Sequence, residues 1–154
     1  MEFLDFECES CLAAYSFVED LRERYDGQLT FAIRYFPLDG HKNSRNAAHA
    51  VEAAARQGKV EQMYSRMYET QSQWGEQQES QAKLFRTYAQ DLGLDLDQYD
   101  TDVASASVAD RVERDFQDGL DLGVTGTPTF FLNGKRLRAE TTQQFYDAID
   151  AAVS

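Results

Sequence analysis

Two cysteines, Cys8 and Cys11, are the only ones in the chain, and the two residues between them give the spacing used for thiol–disulfide exchange. They follow a short apolar run that ends at Phe6 and precede a long amphipathic helical pattern. At the start of a helix, free N–H groups and the positive end of the helix dipole stabilise a thiolate on the first sulfur. The helical register groups Cys11 with Val18 and Leu21, so we expect Cys11 to be buried and Cys8 to be solvent-accessible.

Two other roles for these cysteines stay open at this point. Half of a zinc site needs two further ligands, and the only histidines, His41 and His49, lack the close spacing of a zinc finger. A purely structural disulfide closes too short a loop to restrain the unfolded chain much. The two histidines lie eight residues apart, near one face of a helix, and we interpret them as surface or capping residues. A redox-active dithiol is the favoured interpretation.

Composition excludes several classes of protein. The 154 residues fit one domain with a core of its own, or a domain that carries an insertion. A formal net charge of −12 disfavours nucleic acid and anionic membrane surfaces as partners. No apolar run is long enough to span a membrane, and the N-terminus lacks a signal-peptide pattern. We expect a monomer without a cofactor or a metal. The cysteine content fits an extracytoplasmic enzyme, and it fits a cytoplasmic redox protein equally well.

The first forty residues read as a strand, a helix and a second strand. We predict the first strand over 2–6, and its abrupt start suggests that an upstream strand, anchor or export signal is absent from this chain. A helix over 8–25 should end at Asp26-Gly27, and an apolar β-branched run over 29–36 should form the second strand. A strand–helix–strand unit of this length implies parallel pairing with a right-handed crossover.

A long helical region and a final sheet segment follow. From 41 to 122 the pattern is almost entirely helical apart from a polar loop over 74–80, with a core stripe over 60–68. Caps are predicted at Asp95, at Ser105 or Ser107, and at Thr141 or Thr142. Asn133-Gly134 predicts a hairpin between strands at 129–132 and 136–138, and a last helix follows it. The order βαβ, helices, ββα predicts an α/β sheet protein split by a helical insertion.

That order, with Cys-x-x-Cys at the first helix, resembles the thioredoxin fold, and the insertion resembles that of the DsbA-like thiol–disulfide oxidoreductases. The resemblance covers nearly the whole chain. Its motifs are the run from Glu2 to Cys11, Phe36-Pro37-Leu38, Gln57-Gly58-Lys59, the run from Gly123 to Phe131, and Asn133-Gly134. It implies a thioredoxin-like domain over 1–40 and 123–154, and a helical insertion domain over 41–122.

The resemblance also implies roles for five residues. Cys8 is the nucleophile that enters a mixed disulfide with a protein client, and Cys11 resolves that intermediate. Pro128 matches the cis-proline of the family, and the backbone of Thr127 is expected to pair with the client as an added strand. Glu2 lies where the family often places a buried acid, which could exchange a proton with Cys11. The alternative for Glu2 is an exposed residue at the start of a strand.

The chain departs from the family's better-known oxidants between the cysteines. They often have proline and histidine there, whereas this chain has Glu9-Ser10. We expect Asp5, Glu7 and Glu9 to place negative charge near Cys8 and to oppose the helix terminus. A Cys8 pKa of roughly 5 to 7 and a milder oxidant are therefore expected.

Three functions remain in view. The first is an enzyme that forms or shuffles disulfides in exported protein clients and is recharged by a membrane or quinone-linked redox partner. The second is a non-enzymatic client-binding or regulatory module of a larger membrane-anchored protein. The third is a reductase. An extracytoplasmic location, in the periplasm or cell envelope, is expected for the first.

Overall fold

Four short strands and eight helices make up the chain, and the computed structural model describes all of residues 1–154. The elements in chain order are β1 (Glu2–Leu4), α1 (Glu9–Arg24), β2 (Ile33–Tyr35), α2 (Ser44–Arg56), α3 (Val60–Glu69), α4 (Gln71–Trp74), α5 (Ala82–Asp91), α6 (Leu96–Val103), α7 (Ala106–Asp121), β3 (Thr129–Leu132), β4 (Lys135–Arg136) and α8 (Thr142–Val153). None of the eight helices is both long enough and apolar enough to cross a membrane. The predicted order of elements is confirmed.

The four strands form one sheet in the order β2-β1-β3-β4. β1 pairs in parallel with β2, placing Phe3 opposite Arg34, and it pairs antiparallel with β3, placing Phe3 opposite Thr129. The parallel pairing agrees with the prediction, but both strands are shorter than predicted. β1 ends at Leu4 because the chain turns directly after it. The turn is closed by a hydrogen bond from the N–H of Cys8 to the carbonyl of Asp5, at 3.1 Å.

The first helix carries the cysteines and packs against the last helix. Val18 and Leu21 of α1 are buried on the same face as Cys11, as the register predicted. Farther along α1, the ring of Phe17 lies edge-on to that of Phe145 in α8, with centroids 5.2 Å apart. The helix ends before Gly27, whose φ of +71° lies in the left-handed region that favours glycine.

The helices of the predicted insertion share their core with the sheet. One cluster of 22 buried residues joins Leu4, Phe6 and both cysteines to side chains from α2 through α7. The alanine-rich face of α2 permits close approach of its neighbours, and the stripe on α3 is core, as predicted. The ring of Phe6 lies 5.2 Å from that of Tyr68. The cysteine segment is therefore held between the sheet and the insertion. The division into two domains stays a prediction.

The face of the sheet that carries Phe3, opposite to the face that carries Leu4, is covered by α7. This helix approaches the sheet very closely at Gly119. A Cβ at that position would lie 2.6 Å from Cδ2 of Phe36 and 3.1 Å from Cε1 of Phe3. Glycine is needed there because a side chain would overlap both rings. A second core forms beside it from Phe3, Phe36, Val124 and Phe131.

Three predicted helix caps are present. The side chains of Asp95, Ser105 and Thr141 accept hydrogen bonds from N–H groups three residues later, at 2.9, 3.2 and 3.2 Å. The predicted hairpin at Asn133 and Gly134 is also present, and both residues have positive φ angles. The last strand starts at Lys135, one residue earlier than predicted. The cap at Asp95 opens α6, which runs from Leu96 to Val103.

Candidate active site

The two cysteines lie where the turn after β1 becomes α1. Cys8 occupies the N-cap position with φ −74° and ψ 122°, and Cys11 lies in the first turn of the helix. Both are free thiols. Cys8 is 7% exposed and Cys11 is 1% exposed. Cys11 is buried as predicted, but Cys8 is buried too, so the expectation that Cys8 is solvent-accessible was wrong: the loop before β3 lies against it, with the carbonyl oxygen of Thr127 3.6 Å from its sulfur.

The two thiols have opposite tendencies to ionise. A hydrogen bond from the Cys11 thiol is the main reason that the pKa of Cys8 falls from 9.0 to about 5. Burial opposes that fall, while Thr127 and the N–H groups of Cys11 and Ser10 support it. The same sulfur–sulfur hydrogen bond, together with burial, raises the pKa of Cys11 far above its ordinary value. At neutral pH the pair therefore holds one thiolate, on Cys8, and one thiol, on Cys11.

The loop before β3 faces the sulfurs. The peptide bond between Thr127 and Pro128 is cis, the isomer that the resemblance implied. Thr127 contacts the Cys8 sulfur through its carbonyl, and its side chain, whose hydroxyl oxygen is buried, helps to lower the pKa of both cysteines. The hydroxyl of Thr129 donates to the carbonyl of Gly126 at 2.7 Å, which fixes the turn. Thr127 and Pro128 thus lie at the site where the sequence predicted them.

Glu2 is buried at the start of β1, with 7% of its surface exposed. Burial raises the pKa of its carboxyl from 4.5 to about 8, with the N-terminal amino group opposing that rise. Its charge also contributes to raising the pKa values of Tyr64 and Tyr68, which lie in the core around the cysteines. The alternative of an exposed strand-start glutamate is wrong. The proton-carrying role of Glu2 stays a prediction.

Two of the three acidic residues expected to place negative charge near Cys8 are buried rather than exposed. Asp5 and Glu7 are each 2% exposed, and their opposition to the thiolate stays a prediction. The carboxylate of Asp5 accepts hydrogen bonds from the N–H groups of Glu7 and Leu38, at 2.8 and 2.9 Å. Only Glu9 is exposed. Sequence reasoning treated Asp5 as a surface charge although it stands inside an apolar run, a position that signals a buried, hydrogen-bonded acid.

Glu7 fastens the cysteine segment to the insertion. Its carboxylate accepts from the N–H of Asn43 at 2.7 Å and from the N–H of Glu76 at 2.9 Å. Asn43 is fully buried, and its side chain bonds in turn to the loop that follows α4, through Gln77, Glu79 and Gln81. Because one buried carboxylate joins both loops, the residue directly before Cys8 has its position set by the insertion.

Gln71 is a site residue that sequence reasoning missed. Its side-chain amide is buried and donates to the carbonyl of Phe6 at 2.7 Å and to that of Cys8 at 3.1 Å. It stands at the start of the short helix α4, in a stretch rich in glutamine. Nothing in the sequence separates this glutamine from its exposed neighbours, because its role depends on a contact 63 residues away.

The two histidines differ. His41 is partly exposed, which agrees with a surface position, but its Nδ1 lies 2.8 Å from Oδ2 of Asp5, a buried partner that the sequence did not reveal. Burial lowers the pKa of His41, but the hydrogen bond and charge of Asp5, with Glu7 and Cys8, raise it further, to above its ordinary value. His49 is partly buried in α2, and burial lowers its pKa. No group of three or more His, Cys, Asp or Glu side chains is arranged to hold a metal ion.

Sequence relatives share the domain but are much longer. The model of the thioredoxin family matches residues 1–151. The Na⁺/H⁺ antiporter NhaA 1 of Mycobacterium sp. (strain KMS) is 36% identical over 141 residues, which are 88% of this chain and 22% of that protein. The antiporter NhaA 3 of Salinispora tropica is 38% identical over 138 residues, covering 88% and 20%. The chain thus spans about a fifth of the length of these curated relatives.

Solved structures match the chain over nearly its full length. A thioredoxin-like oxidoreductase from Silicibacter pomeroyi DSS-3 is 27% identical with a TM-score of 0.79, covering 98% of this chain and 83% of that one. BdbD from Bacillus subtilis, in its oxidised form, is 21% identical with a TM-score of 0.85, covering 99% and 85%. The thiol–disulfide exchange protein alpha-DsbA2 from Wolbachia pipientis is 21% identical with a TM-score of 0.79, covering 98% and 79%. The chain therefore belongs to the thioredoxin family and has the helix-inserted fold of the DsbA-like thiol–disulfide oxidoreductases.

Proposed function

We propose that this protein is a thiol–disulfide oxidoreductase that acts on protein thiols through the pair Cys8 and Cys11. The observation that carries this is the geometry of the pair: Cys8 occupies the N-cap of α1 with buried Cys11 one turn on, and the carbonyl of Thr127, whose bond to Pro128 is cis, lies 3.6 Å from the Cys8 sulfur. Exchange requires a thiolate that is stable as a leaving group and a second thiol that displaces it. The lowering of the Cys8 pKa to about 5 supports this assignment.

In the oxidising direction, a client thiolate attacks the sulfur of Cys8 in the Cys8–Cys11 disulfide. A client–Cys8 mixed disulfide forms, the bond to Cys11 breaks, and Cys11 leaves as a thiolate that takes up a proton. A second client thiolate then attacks the client sulfur of the mixed disulfide and releases Cys8 as a thiolate. The client loses two electrons and the cysteine pair gains them. The low pKa of Cys8 favours this last step because a low-pKa thiolate leaves readily.

Three further residues take roles around that chemistry. The carbonyl of Thr127 borders the Cys8 sulfur, and the backbone before Pro128 is where an extended client segment would pair as an added strand. Glu2 supplies the proton that Cys11 takes up, since a carboxyl with a pKa of about 8 is protonated at neutral pH. When the client is reduced instead, Cys11 must lose its proton, and the ionised form of Glu2, the minor form at neutral pH, accepts it.

The direction proposed is oxidation or shuffling rather than reduction. A thiolate stabilised in the reduced form raises the oxidising power of the disulfide. Such an enzyme would act on exported protein clients in the periplasm or cell envelope, as a monomer. It would be recharged by a membrane or quinone-linked partner that takes its two electrons.

The test of the activity is oxidation of a reduced two-cysteine peptide by the purified, oxidised chain, with insulin reduction measured in parallel. We expect stoichiometric peptide oxidation, turnover when a chemical oxidant is supplied, and loss of activity in Cys8→Ser. With an oxidised client instead, the Cys8 thiolate of Cys11→Ser should attack the client disulfide, release one client thiolate and keep the other client sulfur in a mixed disulfide, because no Cys11 thiol is present to displace it. A chain that neither oxidises the peptide nor reduces insulin would leave only a client-binding or regulatory role.

A second candidate is a redox module of a longer membrane protein, and the curated relatives favour it. The matched segment makes up about a fifth of proteins named as Na⁺/H⁺ antiporters. An antibody raised against this chain would test the candidate on fractionated source cells. A membrane-bound antigen much larger than 17.5 kDa would support it, and a free antigen of 17.5 kDa would contradict it.

A further inference from the structure

The acid–base pair formed by Asp5 and His41 has no part in the chemistry described so far. Asp5 contacts both the helix start and the loop after β2: its carbonyl accepts from the N–H of Cys8 at 3.1 Å, and its Oδ2 lies 2.8 Å from Nδ1 of His41. The loop is itself fixed, because the N–H of His41 donates to the carbonyl of Leu38 at 3.0 Å. The hydroxyl of Ser44 also donates to the carbonyl of His41, at 3.1 Å. A single residue thus connects the imidazole of His41 to the backbone of Cys8.

We propose that His41 is a positioning residue that, held by Asp5, sets a positive charge beside the cysteine pair and offsets the buried negative charge that would otherwise oppose the Cys8 thiolate. This inference rests on the proposed thiol–disulfide function and names how that site is tuned. The dipeptide between the cysteines contains no histidine, so the cation comes from the loop after β2 instead.

The sign of the effect follows from the charges that face His41. The charges of Asp5, Glu7 and Cys8 all raise the pKa of His41. Burial raises the pKa of Asp5, and the hydrogen bond and charge of His41 oppose that rise. The start of α2 contributes uncharged groups at Asn43 and Ser44, and the loop after α4 reaches this region with the backbone N–H of Glu76, which bonds to Glu7. With His41 protonated, the Asp5–His41 pair is neutral. With His41 neutral, Asp5 presents an uncompensated charge and the thiolate is less stable.

Linkage between the two groups supplies a test in the unmodified protein. If His41 stabilises the thiolate, then the thiolate must stabilise protonated His41 by the same free energy. Titration of the imidazole signals by NMR should give a higher pKa for His41 in the reduced protein than in the oxidised one, by about half a unit to one unit. His49 serves as the internal control, and its pKa should be the same in both states. Equal His41 values in the two redox states would overturn the proposal.

A matched pair of variants tests the converse. His41→Asn keeps a hydrogen-bond donor to Asp5 but removes the charge, and His49→Asn removes the other histidine. The proton affinity of the Cys8 thiolate, read from its absorbance as a function of pH, should rise about three- to tenfold in His41→Asn, so the Cys8 pKa rises. It should stay unchanged in His49→Asn. An unchanged Cys8 pKa in folded His41→Asn would contradict the proposal. Peptide oxidation by the wild-type chain reports separately on the proposed function, so the two failures are distinguishable.

Discussion

The ionisation of Cys8 should make the stability of the reduced protein depend strongly on pH. The pKa of this thiol is about 5 in the folded protein and 9.0 in its ordinary state. A group whose pKa is lowered by folding contributes stability that is fully present above its unfolded pKa and is lost as the pH falls through its folded pKa. For Cys8, the stabilisation should therefore grow between about pH 5 and about pH 9.

The magnitude follows from the size of the shift. Each pKa unit is worth 1.36 kcal/mol, so the full depression corresponds to roughly 5 kcal/mol at pH 9 and to roughly 3 kcal/mol at pH 7. This is a large share of the stability of an ordinary domain. The oxidised protein has no thiolate at Cys8 and should lack this contribution.

Glu2 titrates over part of the same range with the opposite sign. Because folding raises its pKa from 4.5 to about 8, the stability that it contributes is present below pH 4.5 and is lost as the pH rises through about 8. A simple stability curve would mix the two effects. The matched variant Cys8→Ala removes only the thiol and leaves Glu2 in place, so the difference between the two reduced proteins isolates Cys8.

The assay is denaturant unfolding of reduced wild type and reduced Cys8→Ala at a series of pH values. Side-chain removal gives a constant offset between the two free energies of unfolding. In addition to this offset, we expect the difference to grow by roughly 2 kcal/mol from pH 5 to pH 7. A difference that stayed constant from pH 5 to pH 9 would refute the assignment of a stabilised thiolate to Cys8.

Three further outcomes are expected. In Glu9→Gln, loss of an exposed negative charge in the first turn of α1 should lower the Cys8 pKa by up to about half a unit, measured by thiolate absorbance; no change would exclude Glu9 as a tuning residue. In Glu2→Gln, the fall in the free energy of unfolding between pH 4.5 and pH 8 that Glu2 causes should disappear. Resolution of the mixed disulfide by Cys11 should also slow. If the free energy of unfolding kept the wild-type dependence on pH, the raised pKa of Glu2 would be contradicted. In Gln71→Leu, the carbonyl of Phe6 loses a buried hydrogen-bond donor, so the free energy of unfolding should fall by about 1 to 3 kcal/mol. The control Gln73→Leu changes an exposed side chain and should alter the free energy of unfolding little.

The sequence predicted the fold because the elements that position the cysteines are defined by local patterns. The helical register around Cys11 and the turn at Asn133-Gly134 require only neighbouring residues to be recognised. The strand lengths were overestimated for the same reason. Phe6 reads as a strand residue, but its ring turns into the core against Tyr68.

The polar setting of the site could not be predicted because it depends on contacts between distant segments. Asp5 and Glu7 read as charges near Cys8, yet each is buried by partners more than thirty residues away, at Leu38 and Asn43. Their hydrogen bonds replace water as the partner of the carboxylate, and sequence spacing does not reveal this. The Cys8 pKa of about 5 lies at the low end of the predicted range of about 5 to 7, chiefly because of the hydrogen bond from the Cys11 thiol.

The most direct test of the Cys8–Cys11 couple is its equilibrium with glutathione buffers of graded potential, with the thiol state read by alkylation and mass spectrometry. We predict that both cysteines change state together as one two-electron couple. Its potential should lie between about −270 mV and about −120 mV, towards the oxidising end because of the low Cys8 pKa. An intramolecular disulfide that forms at no buffer ratio, or a potential below about −270 mV, would contradict the proposed oxidising dithiol.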